Sequence, residues 1–288
     1  MKIVAGVSIG ILAIVGAVSW HIYGEDNYVD NPKEYEIVEE WELPEILTEI
    51  SAVAYLDSER VAAVQDEDGS IFIYNLSASE LEDEIRFFDA GDYEGLAIHQ
   101  EDAYVLRSDG KIFAVRGFQN ESPKVEEYET ELSQIEDIDL EGLSMNASED
   151  GLLIASKNNS EESEDYKIIQ ELQFQGQEMT QVNRWHLDMN DPAFAEIDEK
   201  KENKFSPSAI RINPETGDWY LLDGKNPKLL ITDHQATPKL LIDLSKSDFP
   251  QPEGLMFAPD GSLYISSEGG KGKGKIAKVI LKQDAEEK

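Results

Sequence analysis

The tripeptide Glu-Gly-Leu occurs three times in this chain, each time at the start of the same kind of segment. A short apolar stretch follows each copy, then a polar turn and a second apolar stretch. Two further segments share this frame but lack the glutamate. The equivalent positions of the five segments are Ser51, Glu94, Glu141, Ser208 and Glu253. Such repeats constrain the architecture strongly, because each one is a supersecondary unit that must pack against its neighbours.

The spacing of the repeats predicts a β-propeller. The five positions are separated by 43, 47, 67 and 45 residues, and about 40 to 50 residues is usual for one four-stranded blade. The long third interval contains two polar segments, 158–165 and 189–204, which we interpret as elongated loops of a single blade. We expect an all-β propeller with five blades favoured and six as the alternative. A β-sandwich competes, but it does not require near-identical units at a fixed period.

A strand-like segment that precedes the first repeat is expected to close the ring. Residues 35–43 partly alternate between apolar and polar side chains and end at Pro44, as a strand would. The five repeats do not account for this segment. It is well placed to complete the last blade beside residues 275–282, because a propeller leaves only short, protected sheet edges.

The most apolar part of the chain lies at its N-terminus. Residues 3–22 contain no Asp, Glu, Lys or Arg, and Lys2 precedes them. A helix of this length can span a bilayer, but the stretch also fits a secretory signal cleaved after Ser19. Because the basic end comes first, the rest of the chain should lie outside the cytoplasm. We expect a hydrophobic helix in residues 1–24 (membrane anchor or signal), a linker over 25–34, and a propeller domain over 35–288. The protein would then be anchored in the cytoplasmic membrane of the cell envelope, or secreted if cleaved.

The charge and the amino-acid composition exclude several classes of function. The chain carries 60 acidic and 25 basic residues, a formal net charge of −35, and no cysteine. So acidic a protein repels phosphate backbones, and we expect no nucleic-acid partner. Without cysteine there are no disulfides, thiolate metal sites or cysteine nucleophiles. The four histidines show no spacing typical of a zinc site or a catalytic triad.

The three glutamates of the repeats are candidate metal ligands. If each repeat begins a blade, Glu94, Glu141 and Glu253 should surround one mouth of the central channel. Carboxylates that point at one axis repel one another unless a positive charge lies between them. Ca²⁺ binds oxygen ligands in irregular geometry and would suit such a mouth, with Ser51 and Ser208 as sources of further oxygen ligands. We therefore predict Ca²⁺ as a cofactor.

The ends of the second strands should bring further charged residues to the same mouth. These candidate ligand-binding residues are Arg107, Lys157, Asp223 and Glu268. The two basic residues could receive an anionic group such as a phosphate. They also provide an alternative to the metal, in which they neutralise the glutamates through ion pairs. In a third interpretation each glutamate accepts backbone hydrogen bonds, and the following glycine permits close approach of the chains.

At these residues the chain resembles the SdiA-regulated family of bacterial envelope proteins. The resemblance lies in segments 94–97, 141–143 and 251–255, the last followed by 260–268, and it covers most of the chain from about Tyr35. It implies a propeller with a Ca²⁺ site and an N-terminal membrane segment, without an established activity. Broader relatives include calcium-dependent lactonase-like and phytase-like propellers.

The phytase-like activity is poorly matched by this sequence. The signature of those enzymes has the form DAxDDPAxW, and residues 191–194 (Asp-Pro-Ala-Phe) are only a fragment of it.

Three functions remain open from the sequence. The first is an envelope-anchored propeller without catalysis, which binds a small molecule or a partner protein at a mouth organised by Ca²⁺. The second is a Ca²⁺-dependent hydrolase of phosphoesters or lactones, in which the metal polarises the substrate and a glutamate serves as ligand or base. The third is a structural scaffold that works through another surface.

Overall fold

The computed structural model describes residues 33–282, apart from 136–137, 159–164, 176–177, 196 and 198–204. Within these ranges, twenty strands form five four-stranded antiparallel sheets. The first strands of the five repeats contact one another in a ring, which is how blades are arranged in a β-propeller. The predicted all-β propeller and its five blades are confirmed.

Every blade is a meander in which each strand pairs with the next. The strands are β1 (Tyr35–Glu42), β2 (Ile50–Tyr55), β3 (Arg60–Gln65), β4 (Ser70–Asn75), β5 (Glu80–Arg86), β6 (Tyr93–His99), β7 (Asp102–Arg107), β8 (Lys111–Arg116), β9 (Lys124–Glu129), β10 (Asp139–Met145), β11 (Gly151–Asn158), β12 (Tyr166–Gln175), β13 (Glu178–Asp188), β14 (Pro207–Ile212), β15 (Trp219–Asp223), β16 (Lys228–Thr232), β17 (Pro238–Asp243), β18 (Gln251–Phe257), β19 (Leu263–Glu268) and β20 (Lys275–Leu281). Blades 1 to 4 are β2–β5, β6–β9, β10–β13 and β14–β17. Short 3₁₀ helices cover Glu45–Leu47, Glu131–Gln134 and Pro192–Phe194.

The N-terminal strand closes the ring. Blade 5 consists of β18, β19 and β20, and β1 supplies its fourth strand in antiparallel pairing with β20, with Tyr35 opposite Leu281. The buried Tyr35 hydroxyl donates to Asp248 Oδ2 (2.6 Å) and accepts from the backbone N–H of Ser245 (3.0 Å), which holds β1 against the β17–β18 connection. The predicted closure of the last blade by residues 35–43 is confirmed.

The N-terminal hydrophobic helix predicted in residues 1–24 lies outside the described residues. In the part of the chain that the structure describes, no helix combines the length and the apolar character needed to cross a bilayer.

The hydrophobic core lies between neighbouring blades. Successive side chains of a strand point to opposite faces of the sheet, so a strand covered on both faces needs apolar residues at consecutive positions. In β7, Ala103 and Val105 pack towards blade 1, whereas Tyr104 and Leu106 pack towards blade 3. Five such clusters fill the spaces between adjacent blades. The inner strands are therefore rigid supports for the residues at the channel mouth.

Candidate functional site

Each innermost strand carries a β-bulge at the position that the repeats identified. The pairing registers skip one residue per strand, so that it has no Cα partner on the next strand. These residues are Ser51, Glu94, Glu141, Ser208 and Glu253. A bulge bends its strand and redirects the side chain of the extra residue. Five equivalent bulges around one axis thus turn five side chains towards one end of the channel.

The glycine that follows each glutamate makes room for the next blade. A Cβ atom added at Gly95 would lie 2.5 Å from Leu143 Cβ, and one at Gly142 would lie 3.0 Å from the backbone N of Ile210. At Gly254 the corresponding distance to the backbone N of Val53 is 3.0 Å. The repeated Glu-Gly pair therefore combines a redirected carboxyl group with close packing of adjacent inner strands.

The substitution Gly95→Ala is expected to lower the free energy of unfolding by about 1–3 kcal/mol, because the new methyl group overpacks the contact with Leu143. Urea unfolding of the full-length chain measures this change. Gly272→Ala is a matched control, since its Cβ would have one neighbouring atom, at 3.5 Å, in an exposed loop. Equal stability of the Gly95→Ala variant and the unmodified chain would show that the approach of the blades is not tight.

Glu141 forms a buried ion pair at the channel mouth. Its side chain is 2% exposed, and its Oε1 accepts a hydrogen bond from the ammonium group of Lys157 on β11. Lys157 occupies a second irregularity in the pairing of β10 with β11, which explains how it reaches inward. Burial raises the pKa of Glu141 to about 7, although Lys157 acts in the opposite direction. The other oxygen, Oε2, is buried and has no hydrogen-bond partner among the described residues.

Glu94 is the least compensated carboxyl group of the mouth. Burial is the largest cause that raises its pKa to about 10, and the nearby charges of Glu141, Asp92 and Glu253 add to it. The difference from Glu141 follows from Lys157, which stabilises the ionised form of Glu141.

Glu253 completes the group of three glutamates. Its side chain is buried, and burial followed by the charges of Glu141 and Glu268 raises its pKa well above the ordinary value. Its carboxyl group lies directly against Gly224, where an added Cβ would be 2.4 Å from Oε1. The structure thus brings Glu94, Glu141 and Glu253 together, as the sequence predicted.

Two cavities lie beside these glutamates. The smaller, about 10 Å³, is lined by all three and has room for a single water or ion. The larger, about 190 Å³, is lined by Glu141, Lys157, Ser206, Ser208, Gly224, Lys225, Gln251 and Glu253. Within the described ranges, no group of three or more histidine, aspartate or glutamate side chains could hold a metal ion as arranged. The predicted calcium ligation by the three glutamates stays a prediction.

Of the other four candidates, Lys157 lines the larger cavity and Glu268 lies beside the glutamates. Glu268 accepts from Gln251 Nε2 (2.8 Å), and its pKa is raised to about 7 by burial and by the nearby charges of Asp66 and Glu49.

The remaining two candidates have local partners. Arg107 forms a bidentate ion pair with Asp109 (3.0 and 2.6 Å) and lines neither cavity. Asp223 is fully buried and accepts from the backbone N–H groups of Asn226 (2.8 Å) and Ser206 (3.2 Å), so it holds the chain on which the cavity is built.

Arg211 on β14 is an important residue that the sequence analysis missed. Its guanidinium group lies across the channel and donates to the backbone carbonyls of Val53 (3.0 Å), Leu96, Leu143 and Ile210 (3.2 Å). These carbonyls belong to the inner strands of four blades. The sequence did distinguish this position, because the other four repeats carry only small or apolar residues where the fourth carries an arginine. These residues are Ala54, Ala97, Ser144 and Met256.

A model of the SdiA-regulated family matches residues 28–270, which is most of the chain. The chain belongs to the SdiA-regulated family. Among curated proteins, none matches the sequence significantly.

Solved structures similar to this SdiA-regulated protein include several proteins of low sequence identity. Glutaminyl cyclase from Myxococcus xanthus has a TM-score of 0.61 and 13% identity, over 86% of this chain and 96% of the cyclase. A luciferin-regenerating enzyme has a TM-score of 0.51 and 11% identity, over 85% and 94%. Virginiamycin B lyase from Staphylococcus aureus has a TM-score of 0.44 and 11% identity, over 82% and 68%. At these identities, the likenesses to the cyclase and to the luciferin-regenerating enzyme show the fold alone.

The mouth of this SdiA-regulated propeller combines carboxyl groups with raised pKa values, one buried ion pair and a cavity. Raised pKa values mean that the folded chain disfavours the ionised carboxylates unless a cation or a hydrogen-bond donor approaches them. A group with a pKa near 7 can also exchange a proton at neutral pH. The arrangement therefore suits binding of a cation or an ammonium group, and it has the chemistry for proton transfer.

The stability of the SdiA-regulated protein without divalent cations is expected to fall between pH 5 and pH 9, by at least about 3 kcal/mol. The folded-state pKa values of Glu141 and Glu268 are about 7 and that of Glu94 about 10, against an ordinary value of 4.5. In that window the folded chain holds protons that the unfolded chain has lost, so a rise in pH favours unfolding. Urea unfolding in EDTA measures this.

The variant Glu94→Gln serves as the control for this pH dependence. It removes the group with the highest of the three values, so its stability should decline less above pH 7. A stability that is constant or rises from pH 5 to pH 9 in the unmodified chain would contradict the expectation.

Proposed function

We propose that this SdiA-regulated propeller is a ligand-binding protein of the cell envelope, and that its ligand binds at the glutamate-lined channel mouth. The observation that supports this most directly is Glu141 Oε2, which is buried beside the cavities and lacks a partner among the described residues. A buried acceptor without a partner costs about 1–3 kcal/mol, and more when it is charged. A ligand that donates to this oxygen removes that cost.

The location in the envelope is supported by the apolar stretch of residues 3–22. In this proposal the stretch anchors the chain in the cytoplasmic membrane, and the propeller works outside the cytoplasm. Cleavage after Ser19 would release it. The large negative charge argues for a small molecule or a protein as the partner at the mouth, rather than a nucleic acid.

We further propose that Ca²⁺ binds at the channel mouth next to Glu94 and holds the glutamate side chains in place. Three glutamates line one small cavity, and Lys157 compensates Glu141 but is not among the main charges that act on Glu94. Carboxylate oxygens in irregular geometry are the ligands that Ca²⁺ accepts. The ion would neutralise the repulsion among the glutamates and fix their side chains for the ligand.

Isothermal calorimetry with Ca²⁺ on the full-length chain tests this. We expect saturable binding that is lost in Glu94→Gln and in Glu253→Gln. Glu101→Gln is a matched control, because it removes an exposed charge at the far end of β6. Absence of binding, or an equal loss in the control, would refute the calcium site and would leave the glutamates as structural residues.

A second candidate function is a Ca²⁺-dependent hydrolase of phosphoesters or lactones. It is favoured by Glu141, whose pKa near 7 beside a cavity suits a general acid or base. Turnover of a phosphoester and lactone panel, measured with Ca²⁺ and with chelator, separates the two functions. Chelator-sensitive turnover that Glu141→Gln abolishes would refute a function in binding alone.

A further inference from the structure

The larger cavity at the mouth has an acidic floor and a basic rim. Glu141 and Glu253 are 2% and 7% exposed and lie with the buried hydroxyl residues Ser206 and Ser208. Lys225 and Gln251 are exposed and line the same cavity from the solvent side. The buried carboxyl groups and the exposed ammonium group of Lys225 thus line the same cavity, the former on its inner side and the latter on its solvent side.

When both of its carboxyl groups are ionised, the floor lacks one positive charge. Lys157 balances one of the two carboxylates, because its ammonium group bonds Glu141 Oε1. The second carboxylate, Glu253, has no ion pair among the described residues, and Glu141 Oε2 has no donor. A single ammonium group would supply both the charge and the N–H donors. A divalent ion here would instead meet the ammonium of Lys157, which repels it.

The rim carries a lysine that has no ion pair among the described residues. Lys225 follows Gly224 in the turn between β15 and β16, and its ammonium group has no ion pair among the residues that the structure describes. The Gln251 side chain stands beside it at the cavity. The Gln251 amide donates to Glu268 Oε1 (2.8 Å), so a ligand carboxylate at the rim would pair with Lys225.

The volume of the cavity limits the ligand. The cavity volume of about 190 Å³ is smaller than the roughly 300–1,000 Å³ of sites for drug-sized ligands. The cavity therefore suits a ligand of the size of a small amino acid rather than a peptide. Gly224 keeps the space open, since a Cβ there would collide with Glu253.

We propose that this cavity binds a small amino-carboxylate zwitterion, whose ammonium group donates to Glu141 Oε2 and to Glu253 while its carboxylate faces Lys225. The proposal rests on the proposed ligand-binding function and adds the chemical class of the ligand. It shares Glu253 with the proposed calcium site, but it does not depend on which ion occupies the side of Glu94.

Calorimetry on the full-length chain tests the proposal with five probes: glycine, β-alanine, γ-aminobutyrate, ethylamine and propionate. We expect at least one zwitterion to bind about tenfold or more tightly than either ethylamine or propionate, since it engages both ends of the cavity. Lys225→Gln should reduce the affinity for the zwitterion to that for ethylamine and leave ethylamine binding unchanged. Lys271→Gln, in an exposed basic loop, is the matched control and should change neither affinity.

Glu253→Gln should abolish binding of both the zwitterion and ethylamine, and thermal unfolding of this variant checks that it is folded. Propionate binding as tight as that of the zwitterions, or no saturation by any probe in a chain that binds Ca²⁺, would overturn the zwitterion assignment alone. Absence of binding by every probe and by Ca²⁺ would overturn the proposed function as well.

Discussion

Replacing Arg211 with leucine is expected to lower the free energy of unfolding by about 3–5 kcal/mol, because several carbonyls at the channel axis lose their donor together. The guanidinium group bonds carbonyls on the inner strands of four blades. No other guanidinium group in the described ranges links so many blades. Burial lowers the pKa of Arg211 to about 10, so it remains charged at neutral pH, and both of its terminal nitrogens donate. Chemical denaturation of the full-length chain measures the loss.

The control for Arg211 is a surface arginine. Arg60 pairs with Asp57 at 2.7 Å on the exposed side of blade 1, and Arg60→Leu should cost no more than about 1 kcal/mol. Arg211→Lys should also be strongly destabilising, since a single ammonium group cannot reach carbonyls on all four strands. A loss below about 1 kcal/mol in Arg211→Leu would mean that the carbonyls find other donors.

Lys157→Met is the second substitution with a large expected effect, a loss of about 3–5 kcal/mol at pH 8, because it leaves the buried carboxylate of Glu141 without its partner. At pH 5 the loss should be smaller. Without the lysine the pKa of Glu141 rises further, and the protonated carboxyl group no longer carries a charge. Urea unfolding at the two pH values measures the difference.

A double-mutant cycle isolates the pair. Combining Lys157→Met with Glu141→Gln removes both charges and should recover a large part of the lost stability, since breaking one side of a buried pair costs more than replacing both. Lys239→Met provides a matched control, because Lys239 pairs with Asp218 at the surface (2.6 Å) and should cost no more than about 1 kcal/mol. A loss that does not depend on pH, or that Glu141→Gln fails to relieve, would contradict the role of Lys157.

The repeats predicted the fold well because a propeller is one local unit used five times. Strand, turn and strand are encoded within each repeat by apolar runs and Gly-containing turns, so their recurrence can be read without knowing any long-range contact. The closing strand was also predictable, since Tyr35 opens an apolar-polar pattern that the five repeats leave unpaired. The interpretation of the third interval as a single blade agrees with the sheet β10–β13. Part of its extra length lies in the strands β12 and β13, which have 10 and 11 residues, and much of the two segments predicted as elongated loops lies outside the described residues.

The positions of the mouth glutamates were predictable, but their surroundings were not. Equivalent residues of a repeat must occupy equivalent places, which brought Glu94, Glu141 and Glu253 together. The chain alone did not reveal that Lys157 pairs with Glu141 while Arg107 pairs with Asp109. Both basic residues lie at or next to the end of the second strand of their blade. The partner of Lys157 depends on a register irregularity in β11, and the partner of Arg107 is an acidic residue in the turn after β7.

The sequence by itself determined the all-β class, the recurrence of one unit, the equivalence of five inner positions and the family resemblance. All of these follow from periodic patterns of residue type, whereas the structure decided between five and six blades. Only the tertiary structure decided which carboxyl groups have raised pKa values, which oxygen of Glu141 lacks a donor, and that Arg211 bonds the inner strands of four blades. Burial, pKa and hydrogen bonding depend on groups that come from different blades, and their distances are set when the ring closes between β1 and β20.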